Sequence, residues 1–225
     1  MSSAAAVVLA GGSGTRLGAE GNKVYLPLAG RPLLSWALEA FATAPEIGRL
    51  VLVARPADRG PARRAAAAVT GREVEIVDGG EHRHASEWAA LQLLAPAIRA
   101  GEIDVVAIHD GARPVVAPAL VAATVAAARE HGAAVPGVPL ADVADHELHP
   151  VGGTLVRVQT PQAFRAALLL DAYERAERDG FAGTDTAACV ERYAGIGVHC
   201  IPGDPRNVKV TYRPDLALAE HLLRG

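Results

Sequence analysis

Cysteines, aromatic residues and long apolar runs are all scarce in this chain of 225 residues. The two cysteines, Cys189 and Cys200, form neither a CxxC pair nor a metal-binding spacing, so we expect reduced, buried thiols rather than a disulfide framework or a zinc site. No apolar run reaches the ~20 residues that a membrane span requires. The N-terminus lacks the charged region and cleavage site of a signal peptide. These absences favour a cytoplasmic protein with no membrane partner.

A basic surplus is also missing, because 22 lysines and arginines face 25 acidic residues and the formal net charge is -3. Such a balance argues against nucleic-acid binding, although a local basic pocket for phosphates is compatible with it. Half of the residues are hydrophobic and 21% are charged, which is typical of globular chains. The length and composition predict a single domain over residues 1–225.

Short apolar runs alternate with helical patterns along most of the chain. The predicted strands are 5–10, 50–54, 74–77, 103–108, 133–138, 197–201 and 208–211. The predicted helices are 33–42, 58–69, 85–99, 118–131, 162–178, 184–193 and 214–223. This alternation predicts an α/β fold with a mostly parallel, three-layer sheet. It breaks at about 142–158, where polar residues and Gly152-Gly153 predict a protruding arm or hairpin.

A glycine-rich segment, LAGGSGTRLG, follows the first predicted strand directly. Gly11, Gly12 and Gly14 let backbone N–H groups approach phosphate oxygens, and Arg16 adds a forked cation, although a tight turn also explains the glycines. The segment does not fit the Rossmann fingerprint, because Leu17 stands at the third glycine position and the next predicted strand ends without the ribose-binding acid. It also lacks the Gly-Lys-Ser/Thr of a Walker A loop.

Further polar residues follow other predicted strands. Ser86, after the glycines of GGEHRHAS, suits either a base edge or a helix cap, and Arg83 suits either a ligand or the surface. Asp110 and Arg113 follow the strand 103–108, where ligands gather in open α/β sheets, but a structural ion pair is an alternative.

Three more segments favour a structural or surface role when taken alone. Thr160-Pro161 is typical of a helix start, with Thr160 as the N-cap and Pro161 in the first turn. Thr184 is a second N-cap candidate. Lys209 alternates with Val208 and Val210, which points its side chain away from the core.

The order of these motifs resembles that of a known family. The pattern G-x-G-x-R…K-x-Y-L-x-L-x-G-x-P, which includes Lys23 seven residues after Arg16, resembles the sugar-phosphate nucleotidyltransferases. Within them, the chain looks like the 2-C-methyl-D-erythritol 4-phosphate cytidylyltransferases and the related ribitol 5-phosphate cytidylyltransferases. The remaining motifs fall in the family's order, so the resemblance covers nearly the whole chain.

This resemblance implies a Rossmann-like nucleotidyltransferase sheet, Mg²⁺, CTP and a small sugar- or polyol-phosphate as reactants, and a homodimer formed through the arm. The implied catalytic residues are Arg16, Lys23 and Lys209. The implied nucleotide-binding residues are Ala10, Gly11, Gly12, Gly14, Gly79, Arg83, Ser86 and Ala112. The implied acceptor-binding residues are Asp110, Arg113, Asp142 and Thr184, with Asp110 also at the metal.

Several positions depart from the family pattern. The loop lysine lies between Asn22 and Val24 rather than between Pro and Gln. Val143 replaces the usual threonine before the arm, and Thr186 replaces an acid. Arg157 is the arm's arginine, without a secure match to the family's arm arginine. These departures keep a polyol-phosphate cytidylyltransferase and a non-catalytic nucleotide-binding protein open as alternatives.

Overall fold

The computed structural model describes residues 3–12, 21–141, 143–183 and 185–224. Its strands are β1 Ser3–Ala10, β2 Pro27–Leu28, β3 Arg31–Pro32, β4 Ile47–Ala54, β5 Val74–Asp78, β6 Ile103–Asp110, β7 Ala133–Pro139, β8 Val156–Val158, β9 Gln162–Arg165 and β10 His199–Pro202. Its helices are α1 Leu33–Ala42, α2 Arg59–Ala67, α3 Arg83–Arg99, α4 Pro118–His131, α5 Ala166–Asp179, α6 Thr186–Ala194 and α7 Arg213–Arg224. Short 3₁₀ turns precede the β2–β3 hairpin and α2.

The main sheet runs in the order β10-β7-β9-β6-β1-β4-β5, and β8 pairs with β7. The strands from β6 to β5 are parallel, whereas β9 is antiparallel to both β6 and β7. The central strands are nearly continuous apolar runs, because both faces of the sheet are covered. The predicted mostly parallel sheet is therefore confirmed.

Helices cover the sheet on both faces and complete three layers. One apolar cluster joins the sheet to α1, α2 and α4, and the other joins it to α3, α5 and α6. Alternate residues of β1 divide between the two clusters, since successive side chains of a strand point to opposite faces.

The connection order creates a crevice beside β1. The chain runs from β1 outward through β4 to β5 and then returns to β6 on the other side of β1. The connections that leave the carboxyl ends of β1 and β6 therefore diverge, which is the topological switch point where open α/β sheets bind ligands.

The predicted helix 162–178 is wrong at its start. Gln162–Arg165 is strand β9, and the helix begins only at Ala166. Phe164 is fully buried and faces Val106 in the β6 pairing. Hydrogen bonds to β6 and β7 thus override the local helical pattern, and Thr160 is not a helix N-cap.

Two other predictions are also corrected. The predicted strand 208–211 is an irregular segment, because its backbone pairs with a loop carbonyl rather than with a sheet edge. Of the two thiols, which are both free, only Cys189 is buried and Cys200 is exposed on the edge strand β10.

The arm leaves the sheet after β7 and returns through β8. Ala144 forms an isolated antiparallel bridge with Pro150, and a turn closes the loop between them. Leu148 at this turn is 82% exposed. Asp142, at the base of the predicted arm, lies outside the described residues. Within the described ranges, no helix has both the length and the apolar character needed to cross a membrane.

Candidate active site

A cavity of about 400 Å³ opens at the carboxyl ends of β1, β5 and β6, at the switch point. Two stretches of the chain, the last residue of β6 and one lysine from near the C-terminus form its wall. The lining residues are Leu9, Gly11, Gly12, Gly80, Glu81, His82, Arg83, Ser86, Asp110 and Lys209. Six of them were predicted as site residues from the sequence.

The side chain of Asn22 ties the segment that leads to Lys23 to the end of β1. Its side-chain amide donates to the carbonyl of Ala10 at 2.5 Å and to Asp58 Oδ2 at 3.0 Å. Its Oδ1 accepts from the Val24 N–H and so caps the short 3₁₀ turn that begins at Lys23. The departure from the family pattern at Asn22 therefore has a structural role, since it holds Lys23 close to the strand end.

The segment after β5 forms the second wall of the cavity. A Cβ atom on Gly79 would lie 2.9 Å from Ser86 Oγ and 3.1 Å from Val53 Cγ1, so a larger residue would displace Ser86. The His82 side chain caps α3 by accepting from the Ala85 N–H at 3.2 Å. Ser86 is thus not the cap of α3: its hydroxyl donates to the His82 carbonyl at 3.0 Å and lines the cavity.

Asp110 and Lys209 face each other in the cavity, with Lys209 Nζ 2.5 Å from Asp110 Oδ2. Burial alone would raise the pKa of Asp110, but the charge and hydrogen bond of Lys209 and the Ala112 N–H hold that pKa below its ordinary value. The Lys209 side chain remains 46% exposed, so its ammonium group is accessible to a ligand. Asp110 therefore pairs with Lys209 and not with Arg113, the partner in the alternative prediction of a structural ion pair.

Hydrogen bonds to main-chain carbonyls place Lys209 opposite Asp110. The Val210 N–H donates to the carbonyl of Ala112 at 2.8 Å, which fixes the residue next to Lys209 on the loop after β6. Arg113 Nη1 donates to the carbonyl of Asn207 at 2.7 Å. Val210 is fully buried, and Lys209 therefore points outward, as its alternation with valines predicted.

A buried chain of hydrogen bonds fixes the end of β6. Because the Arg113 carbonyl can only accept, the His109 Nε2 atom, 3.2 Å away, carries the proton. Burial, the largest influence, lowers the pKa of His109 to about 4, so the neutral ring accepts at Nδ1 from the Thr160 hydroxyl. The same hydroxyl accepts from the Asp110 N–H at 3.0 Å. Thr160 thus orients the loop that carries Asp110.

Arginines gather beside the acidic end of the site. Burial lowers the pKa of Arg113, Asp110 opposes this change, and the positive charges of Arg157 and Arg83 lower the pKa further. The Nε atom of Arg113 is buried and has no hydrogen-bond partner among the described residues. Arg113 thus experiences the positive charge of two other arginines, and an anion bound beside it would be stabilised.

Some predicted site residues do not line the cavity, and others lie outside the described residues. Lys23 is attached to the strand end through Asn22, but it is not among the described residues that line the cavity. Gly14, Arg16 and Thr184 lie outside the described residues, as does Asp142. The sequence prediction did not include Leu9, Gly80, Glu81 and His82. Three of these four fall within the segment GGEHRHAS, whose position after a strand was the available signal.

Parallel strands with a carboxylate–lysine pair at the switch point, beside Gly11 and Gly12 at the end of β1, form a site of the kind expected in an α/β nucleotidyltransferase. A family model described as 2-C-methyl-D-erythritol 4-phosphate cytidylyltransferase matches residues 4–225. The chain belongs to this family.

Individual relatives agree with the family match. The enzyme of that name from Cereibacter sphaeroides strain KD131 is 44% identical over 225 residues, which cover 97% of this chain and 96% of the relative. The one from Geobacillus kaustophilus is 41% identical over 229 residues, with the same coverage of 97% and 96%. The crystal structure of the Thermus thermophilus enzyme superimposes with a TM-score of 0.74 at 31% identity, covering 99% of this chain and 100% of that one.

Proposed function

We propose that this protein transfers the cytidylyl group of CTP to 2-C-methyl-D-erythritol 4-phosphate and releases pyrophosphate. The Asp110–Lys209 pair, set at the switch point among glycines and arginines, is the observation that carries the proposal. The family relationship supplies the identity of the two substrates. Because CTP is a cytoplasmic metabolite, the proposal includes a cytoplasmic location.

The reaction needs positioning and positive charge rather than a protein nucleophile. An oxygen of the acceptor phosphate forms a bond to the α-phosphorus of CTP, while the bond from that phosphorus to the bridging oxygen breaks. The electron pair leaves with pyrophosphate. Since the acceptor phosphate is already ionised at neutral pH, the main obstacles are repulsion between two polyanions and charge growth on the leaving oxygen.

The two ends of the cavity support different halves of this reaction. Gly11 and Gly12 leave room for close approach of the nucleotide, Gly79 leaves room for the Ser86 side chain, and Ser86 offers a hydroxyl at the cavity wall. We assign phosphate charge neutralisation to Lys209, Lys23 and Arg16. Ala10 and Ala112 contribute through the backbone of the strand-end loops, which hold Asn22 and Val210 respectively.

We assign the acceptor phosphate to the arginine side of the cavity. Arg113 has a buried Nε atom without a partner in the described part of the chain, and Arg157 adds its charge from β8. This assignment gives Arg157 a role that the sequence pattern did not provide. Asp142 and Thr184 remain acceptor residues by family resemblance alone.

A magnesium ion is also part of the proposal. Within the described ranges, no cluster of three or more His, Cys, Asp or Glu side chains is placed to hold a metal ion. A single carboxylate, Asp110, fits Mg²⁺, which is commonly bound by one or two carboxylates together with substrate phosphates. When bound, the ion would supply charge neutralisation at the phosphate oxygens. Chelation by EDTA should abolish pyrophosphate release, and excess Mg²⁺ should restore it.

A homodimer is the last part of the proposal. The arm presents apolar side chains to solvent, with Leu148 82% and Val151 42% exposed. Burial of such side chains against a second copy would stabilise association by about 25 cal/mol per Å² of apolar surface. The family's use of the arm supports the same arrangement.

An acceptor panel tests the proposal directly. The protein is incubated with CTP, Mg²⁺ and one of several phosphates: 2-C-methyl-D-erythritol 4-phosphate, ribitol 5-phosphate or glycerol 3-phosphate. Pyrophosphate release and the cytidylated product are measured. We expect kcat/KM for the methylerythritol phosphate to exceed that for the other acceptors by at least about a hundredfold, since a site built around a polar substrate rejects poor matches strongly.

Two other results would replace the proposal. Preference for ribitol 5-phosphate would assign a polyol-phosphate cytidylyltransferase, consistent with Val143 and Thr186. Tight CTP binding without turnover of any acceptor would assign a non-catalytic nucleotide-binding protein.

A further inference from the structure

Glu87 is a buried acidic residue just behind the cavity wall. It lies on α3, one turn after Arg83, and is only 1% exposed. Its Oε1 accepts from the Thr186 hydroxyl at 2.8 Å, and its Oε2 accepts from the Tyr173 hydroxyl. A buried carboxylate is strongly unfavourable unless hydrogen bonds and an opposite charge compensate it, so these contacts indicate a defined role.

Arg83 is the cation that compensates Glu87. Its Nε atom lies 2.8 Å from Glu87 Oε1, close enough for an ion pair although not aligned as a hydrogen bond. The pair joins residues i and i+4 on α3, a spacing that brings side chains together on one helix face. Arg83 also lines the cavity, so Glu87 restricts the orientation of a cationic side chain at the cavity wall.

The other two partners of Glu87 make it a rigid support. Tyr173 on α5 is fully buried, and its ring stacks on His84 with centroids 4.5 Å apart. Burial, followed by the charge and hydrogen bond of Glu87, raises the pKa of Tyr173 well above its ordinary value. The hydroxyl therefore remains a donor to the carboxylate at neutral pH.

The third partner, Thr186, connects Glu87 with the start of α6. Thr186 is fully buried, and the preceding Asp185 caps the helix by accepting from the Ala188 N–H at 2.8 Å. The Thr186 hydroxyl contacts Glu87 Oε1, the same oxygen that pairs with Arg83, so a carboxylate placed at position 186 would also lie close to Arg83.

We propose that Glu87 is a positioning residue, which holds Arg83 against the nucleotide and joins the start of α6 to the cavity wall. The inference rests on the proposed cytidylyl transfer. Glu87 does not contact the substrates in this role. It acts through Arg83, so the effect of changing Glu87 depends on whether Arg83 is present.

A double-mutant cycle tests this dependence. Glu87→Gln keeps the size of the side chain and removes its charge. We expect it to raise the KM for CTP about tenfold with a smaller change in kcat, and Arg83→Ala to do the same. In the Arg83→Ala background, Glu87→Gln should change the KM for CTP less than about twofold. Additive effects of the two substitutions, or an unchanged KM in Glu87→Gln, would overturn the proposal.

A swap of the carboxylate provides the second test. Glu87→Ala combined with Thr186→Glu moves the acid from α3 to α6, and we expect a KM for CTP within about threefold of the wild-type value. If Glu87→Gln does not fold, this swap decides the question. A folded swap variant with a KM as high as that of Arg83→Ala would count against a positioning role.

Glu177→Gln is the control for the loss of a carboxylate beside α3, because Glu177 Oε1 lies 3.4 Å from His84 Nε2 and contacts His84 rather than Arg83. Its KM should stay within about twofold of the wild-type value. CTP affinity is measured by calorimetry in parallel with turnover. If the wild-type protein binds CTP without any turnover, the proposed function fails, while loss of CTP affinity in Glu87→Gln would still support the positioning role.

Discussion

At the residue scale, the cavity depends on charges whose partners come from distant parts of the chain. Asp110 ends β6, whereas Lys209 lies on the loop before α7, and they meet only in the folded molecule. The pair leaves Lys209 partly exposed, and a triphosphate can therefore replace Asp110 as its partner. A lysine that neutralises charge in the transition state affects kcat more than substrate binding.

The first prediction concerns Lys209. Lys209→Ala should lower kcat by about 10²–10³, the usual loss when one preorganised charge is removed. Lys23→Ala should have an effect of the same order. Steady-state pyrophosphate release measures both, with circular dichroism to verify folding. Near-normal turnover in either folded variant would contradict its catalytic assignment.

The second prediction concerns pH and His109. Its pKa falls from 6.5 to about 4 on folding, so the unfolded chain binds a proton that the folded protein does not. The free energy of unfolding is therefore at its highest above pH 6.5. It decreases as the pH falls towards 4, by about 1.4 kcal/mol per pH unit and about 3 kcal/mol in total. Urea unfolding across this range measures the slope.

His109→Gln supplies the comparison, because it removes the titrating group. The variant should be less stable than the wild type at pH 7, but its stability should fall less steeply between pH 6.5 and 4. Parallel curves for the two proteins would show that His109 does not cause the acid sensitivity.

At the element scale, close approach of loops to strand ends sets the shape of the site. Gly111 donates its N–H to the Leu9 carbonyl at 2.9 Å, which brings the loop after β6 against β1. A Cβ atom there would lie 2.8 Å from the Leu9 carbonyl oxygen and 2.7 Å from Leu34 Cδ1. The backbone oxygen cannot move without disturbing β1.

Gly111→Ala should therefore destabilise the protein by about 1–3 kcal/mol, the usual cost of overpacking. Differential scanning calorimetry or urea unfolding measures the change. Gly197→Ala is the matched control, since a Cβ atom at Gly197 meets none of the described residues within 4 Å. Equal stability of the two variants would show that the loop after β6 shifts to accommodate the added methyl group at little cost.

At the scale of the whole molecule, the arm contributes no described residue to either apolar cluster of the core. Its turn is exposed, and its contact with the sheet runs through β8 on β7. The described part of the chain leaves the apolar side chains Leu148 and Val151 uncovered, which is the reason to expect a second copy there.

Sedimentation velocity tests this expectation. The wild-type protein should sediment as a dimer at micromolar concentration, and Val151→Glu should shift it towards monomer with little change in melting temperature. Leu218→Glu is the control, because Leu218 is similarly exposed, at 46%, but lies on α7. A monomeric wild-type protein would rule out the dimer.

Several elements were predictable from the sequence because their signals are local. The helices Leu33–Ala42 and Pro118–His131 have the predicted bounds. The second begins with Pro118 and ends before Gly132, because proline is favoured at the first position of a helix and glycine directly after the last. β9 was missed because its strand conformation depends on hydrogen bonds to β6 and β7, which no local pattern reports.

The candidate site divides in the same way. The motifs identified Gly11, Asp110 and Lys209, because their residue types and their positions relative to strands carry chemical meaning. The sequence did not show which residues these side chains and their neighbours contact. His82 rather than Ser86 caps α3, Thr160 supports Asp110 rather than a helix, and Glu87 lies behind Arg83.

The sequence by itself determined the layered α/β fold, the family and the kinds of residue at the strand ends. Apolar periodicity and glycine-rich turns act over a few residues, so they can be recognised without the rest of the chain. Only the tertiary structure decided which charges meet, since Lys209 reaches Asp110, and Thr186 reaches Glu87, through contacts between segments far apart in sequence. Those contacts form because burial of the intervening helices and strands brings the segments together.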